Sequence, residues 1–131
     1  MTRRQSIYVD DFPHANPVPA ACRIDNMVYS GVIYGRDPAT HEVPADMDKQ
    51  CQLMFAHVRI IIEAAGGSLD DIIKINLSLR DKAHRLKVNP HWEALFPDPA
   101  TRPARQGYEI AMSGNIQVQC DFIAVLPDQP N

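Results

Sequence analysis

Arg105 is the residue around which chemistry can be built in this chain. A guanidinium keeps its charge at any physiological pH, and its fork of N–H donors matches a carboxylate through two parallel hydrogen bonds. The segment Ser113-Gly114-Asn115 is a turn signal between two alternating stretches. A three-residue loop there pairs Met112 with Ile116, Ile110 with Val118, Tyr108 with Cys120 and Gln106 with Phe122. One face of that hairpin is largely apolar. The other gathers Arg105, Gly107 and Glu109 beside Gln119, Asp121 and Ile123. Gln119 can orient a water molecule but has no titratable carboxyl. Asp121 lies on the same face, about 6 to 7 Å further along the strand. On the residues alone, a surface arginine paired with Glu109 or Asp121 is the plainer reading. A ligand carboxylate is the competing one.

The remaining reactive side chains form no second constellation. Cys22, Cys51 and Cys120 are odd in number and widely spaced, without a Cys-x-x-Cys pattern, so they read as reduced, mostly buried side chains rather than a disulfide framework or zinc site. His57 falls among apolar residues, and no carboxylate joins His84 and His91 in a metal-binding pattern, so structural or surface roles are expected for all three. A net charge of -3 and a pI near 5.9 leave no excess of cations for nucleic-acid phosphates. The run of Arg80, Lys82, Arg85 and Lys87, mixed with Asp81 and His84, reads as a solvated helical face.

These residues must be held by elements, and a chain of 131 residues with 45% hydrophobic content suffices for one domain spanning 1–131. No apolar run reaches the length of a membrane span and the start MTRRQSIYVDDF carries no apolar stretch, so a cytoplasmic protein is expected. After Pro13, Pro17 and Pro19, the stretch from Ala20 to Ile33 suits two short strands around Asp25-Asn26. Met47, Cys51, Met54, Val58, Ile61 and Ala65 mark an amphipathic helix, with Asp46 placed to cap it and Gly66-Gly67 to end it. Ile73, Ile75, Leu77 and Leu79 then alternate with Ile72, Lys74, Asn76 and Ser78, the pattern of a strand with one buried face. A second helical region covers about 81–96, with a break expected at Asn89-Pro90, where Asn caps and Pro starts a new helix. Strands at both ends with helices between them, and no repeat, indicate an α+β layer with helices on one face of a mixed sheet.

From about Asn16 to Val125 the chain resembles the Rid (YjgF/UK114) family. The resemblance is carried by EAAGGSLDDIIKINLSLRD (63–81), by the Asp, Val, Asn, aromatic and Phe spacing over 81–96, by RPARQGYEIAM and by the closing strand IQVQCDFIAV. It implies a chorismate-mutase-like fold assembled as a homotrimer with ligand sites between subunits. It also implies hydrolysis of reactive enamines and imines to 2-keto acids and ammonia, without a cofactor. Arg105 matches the family's signature arginine, which turns the reading toward a small carboxylate ligand, and Asn89 matches its helix asparagine. Gln119 stands where the family carries a water-activating Glu. Asn16-Pro17-Val18-Pro19-Ala20 replaces a Gly-Pro-Tyr-Ser-Gln segment, so Val18 takes the place of an aromatic hydroxyl. Tyr34 or Tyr108 are the rings available instead, as core or interface aromatics if not in the site. Ser30, Gly31 and Val32 occupy the family's Ser-Gly region, with backbone N–H groups as candidate ligand contacts.

Overall fold

The computed structural model describes residues 3–128; the ends of the expected 1–131 domain lie outside the described residues. Seven strands and two helices follow in the order β1 (Gln5–Ile7), β2 (Ala21–Ile24), β3 (Met27–Ser30), β4 (Ile33–Tyr34), α1 (Met47–Ala64), β5 (Ile72–Leu79), α2 (Arg85–Leu95), β6 (Ala104–Glu109) and β7 (Val118–Val125). They build one mixed sheet in the order β1-β2-β3-β7-β5-β6, with β4 also on β7. Among the described strands only β5 and β6 run parallel, joined through α2 as parallel neighbours require.

The expected hairpin does not form. β5 lies between β6 and β7, parallel to the first and antiparallel to the second. Met112, Ile110, Tyr108 and Gln106 therefore do not meet their expected partners. The reason is burial: Ile75, Leu77 and Leu79 of β5 are at most 2% exposed, and that strand takes an interior position, paired on both edges. The chain from β6 to β7 consequently crosses the end of β5. Arg80 holds it there, donating through Nε to the Ile116 carbonyl at 2.9 Å and through Nη2 to those of Met112 at 3.0 Å and Gly114 at 2.7 Å. Arg80 is thus a loop clamp rather than part of a solvated helical face, while Lys82, Arg85 and Lys87 are exposed as expected.

α1 follows its sequence pattern closely. The expected stripe is buried throughout, Asp46 caps the Asp48 N–H, and Gly66 closes the helix at φ 95. The Gly66 N–H donates to the Glu63 carbonyl and the Gly67 N–H to that of Ile62, satisfying two of the helix's last acceptors. Gly35, just after β4, abuts the Gln50 backbone so closely that a Cβ would collide with it. That approach lets α1 lie on the sheet. The buried Gln50 side chain makes use of the contact, donating to the Pro44 and Asn115 carbonyls and accepting from the Gln117 N–H.

Two local expectations are corrected. In β5, a bulge at Ile73 shifts the alternation, so Ile72 is buried and Ile73 is exposed. In α2, Pro90 lies inside the helix and Asn89 is not a cap. Pro90 is exposed, so losing one hydrogen bond on the solvent side is tolerated beside the buried Val88 and Trp92.

Candidate functional site

Residues opposite one another across a sheet point to the same face. Arg105 registers with Ile75, which registers with Phe122, and both neighbours are buried in the core with α1 and α2. Arg105 therefore points to the helix side. Its Nη2 donates to Asn89 Oδ1 at 2.7 Å, and its guanidinium carbon stands 4.9 Å from the centre of the Trp92 ring. Asn89 and Trp92 are spaced i, i+3 on α2, so one helix face supplies both an acceptor and an aromatic platform. Trp92 is itself braced edge-on by Phe96, with ring centres 4.9 Å apart.

Five N–H donors come with a guanidinium. Among the described residues, the Asn89 oxygen is the acceptor that Arg105 finds, and its Nη1 is buried without one. Burial lowers the arginine's pKa, yet guanidinium remains charged in proteins. The carboxylates expected to pair with it are engaged elsewhere. Glu109 accepts from the Lys82 N–H at 2.9 Å, and Asp121 Oδ1 accepts from Asn76 Nδ2 at 2.8 Å. The plain reading of Arg105 as an ion-paired surface arginine is thereby closed.

Gln119 and Asp121 do not share its face. Gln119 registers with Ser78, itself beside Tyr108, and Asp121 registers with Asn76 beside Gln106, all on the sheet side away from the helices. The physical reason is the missing hairpin: inserting β5 changes the register on which the shared face depended. Gln119 is also three residues along β7 from Phe122 and two strand spacings from β6, which sets its Cα about 14 Å from that of Arg105. A single chain does not bring them together.

The other expected site residues fall into two groups. Gly107, two residues after Arg105 on β6, faces the helix side and is exposed. Val18 is exposed and lines a hollow of about 420 Å³ with Tyr8, Phe12, His14 and Asn16. Gly31 sits against this segment, and its N–H already donates to the Ala20 carbonyl at 2.9 Å. It is not a free ligand donor, contrary to expectation. Tyr34 registers with Gln119, packs edge-on against Phe12 and lines a neighbouring hollow of about 350 Å³ with His14 and Arg36. Tyr108 is exposed on the open face.

The matched family model, described as Endoribonuclease L-PSP, covers residues 10–126. The chain belongs to the Rid family. It is 32% identical to the 2-iminobutanoate/2-iminopropanoate deaminase of Escherichia coli, over 92% of this chain and 97% of that protein. A RutC family protein of Haemophilus influenzae is 31% identical over 92% and 96% of the two chains. Among solved structures, RidA from an Antarctic Psychrobacter superposes with a TM-score of 0.86 at 31% identity, covering 93% of this chain and 99% of that one. The E. coli YjgF gene product gives 0.84 at 30% identity, covering 92% and 98%. The Rid fold, a chorismate-mutase-like α+β layer, is thus the fold of this protein.

Trp92 is the site residue that the sequence reading passed over. Its i, i+3 spacing from Asn89 was the available signal, hidden by the expected helix break between them. Among the described residues, no group of three or more His, Cys, Asp or Glu is placed to hold a metal ion. His57 is buried, with Nε2 donating to the Arg36 carbonyl at 2.7 Å, and His91 meets Asp48 at 3.1 Å. Cys51 and Cys120 are buried free thiols and Cys22 is partly exposed, as expected. No described helix is long and apolar enough to cross a membrane.

Proposed function

We propose that this protein hydrolyses a small enamine or imine carrying a carboxylate, releasing a 2-keto acid and ammonia. Arg105 anchors the carboxylate while water adds to the C=N carbon. The nitrogen then takes up protons and leaves as ammonia, and the carbon becomes a carbonyl. The observation that carries this reading is the state of Arg105: held by Asn89 and Trp92, with donors unspent and the nearby carboxylates occupied. The named activity of the E. coli relative supports the substrate class. Gln119 orients the water in this scheme. Since it lies far from Arg105 and on the opposite face, it comes from a neighbouring copy, in a homotrimer whose sites lie between subunits. Val18 and Tyr34 belong to that second half-site, with Gly31 bonded to Ala20 beside Val18 rather than donating to the ligand. The reaction as written draws on no metal or organic cofactor. A net charge of -3 favours a small-molecule ligand over nucleic acid, and we place the protein in the cytoplasm.

Ammonia release from 2-iminobutanoate generated in situ tests this reading. Acceleration over buffer that disappears in Arg105→Ala is the expected result, and no acceleration with this imine or longer ones would refute it.

A second reading, a carboxylate-binding module without turnover, is favoured by two observations. Gln119 cannot accept a proton as a carboxylate does, and Asp121 is tied to Asn76. In that case 2-keto acids stabilise the fold by mass action without catalysis, and Gln119→Glu creates activity.

A further inference from the structure

Gly107 is a glycine for which neither the backbone nor the packing gives a reason. It lies inside β6, where a glycine weakens a strand by its excess conformational freedom and missing side chain. Its φ is not positive, unlike those of Gly66 and Gly114. A Cβ added to it would meet nothing within 4 Å, whereas one at Gly35 would collide with the Gln50 backbone. The position registers with Leu77 and so faces the same side as Arg105, about 6 to 7 Å along the strand. The space that a side chain would fill therefore opens on the same face of the sheet as the carboxylate anchor, two residues further along β6.

We propose that Gly107 determines specificity. The space beside it receives the part of the substrate beyond C3, which assigns to this protein 2-imino acids with branched or aromatic side chains. The geometry of an imino acid fits this. Its carboxylate and imine carbon are adjacent, so a carboxylate fixed at Arg105 leaves the remaining carbon chain within reach of the Gly107 surface. Because Arg105 is restrained by Asn89 and Trp92, the substrate cannot avoid an added side chain by dragging its anchor aside. The proposal rests on the reading of Arg105 as a carboxylate anchor.

The test compares ammonia release from 2-imino acids generated in situ from alanine, leucine and phenylalanine, in the wild type, Gly107→Ala and Gly107→Val. The ratio of kcat/KM for the leucine- and phenylalanine-derived imines to that for the alanine-derived imine is expected to fall at least about tenfold in Gly107→Val, mostly through KM. Gly107→Ala should lie between, and both variants should melt no lower than the wild type, since the added atoms meet open space. An unchanged ratio, with wild-type turnover intact, overturns the specificity role and leaves the anchor standing. Equal loss across the series with an altered sedimentation rate also overturns it, by giving the space to a neighbouring copy. Failure of the wild type on every imine removes the anchor reading and this proposal with it.

Discussion

At the scale of single residues, the cost of Arg105 is the most informative quantity. A partly buried guanidinium with an unmatched nitrogen loses hydration that one bond to Asn89 and one aromatic face only partly replace. A ligand carboxylate supplies the missing acceptors, so the supports of Arg105 should act on ligand affinity. Asn89→Ala and Trp92→Leu are each expected to weaken binding of a 2-keto acid by about 1 to 2 kcal/mol, with Trp92→Tyr restoring most of it, as calorimetry can measure. The cysteines make a different prediction. Burial pushes the Cys51 thiol up to about 12 and Cys120 in the same direction. Both should resist alkylation in the native state more than the partly exposed Cys22. A folded pKa above the unfolded one means that their contribution to stability is complete below pH about 9 and lost as pH rises toward 12. Denaturation midpoints should accordingly fall through that range, and Cys51→Ala should flatten the fall.

At the scale of elements, the difference between local pattern and sheet order decided what could be read in advance. The stripe and caps of α1 are local properties and match the fold from Met47 to Gly66. The turn at Asp25-Asn26 is local too, and it joins β2 to β3. Ser113-Gly114-Asn115 looks equally like a hairpin, but strand order is a property of the whole sheet, and the apolar β5 enters between the expected partners. That insertion moved Gln119 and Asp121 off the Arg105 face, while Asn89, singled out by the family match and not by strand register, does lie beside Arg105. Arg80 makes the new connection possible and was illegible in a mixed-charge run. Arg80→Ala should release the 110–117 crossover and cost about 2 to 4 kcal/mol in chemical denaturation, with the loop amides losing hydrogen-exchange protection first.

At the scale of the whole molecule, one face of the sheet is sealed by helices and the other is left with polar groups and exposed Tyr29 and Tyr108. In the homotrimer proposed above, each site takes its anchor from one copy and its water-orienting group from another, and the exposed tyrosines of the open face are available for contacts between copies. Sedimentation should give three times the 14.7 kDa chain mass, and Tyr29→Lys should yield monomers that lose turnover while keeping their fold. The anchor itself can be tested without turnover. Trp92 is the single tryptophan of the chain and lies under the Arg105 guanidinium, so its emission reports directly on what that group binds. The decisive measurement is a fluorescence titration with 2-oxobutanoate and with its uncharged amide. A saturable change with the acid, absent with the amide and lost in Arg105→Ala, is the predicted result; equal responses to acid and amide, or an unchanged titration in Arg105→Ala, would contradict the carboxylate anchor.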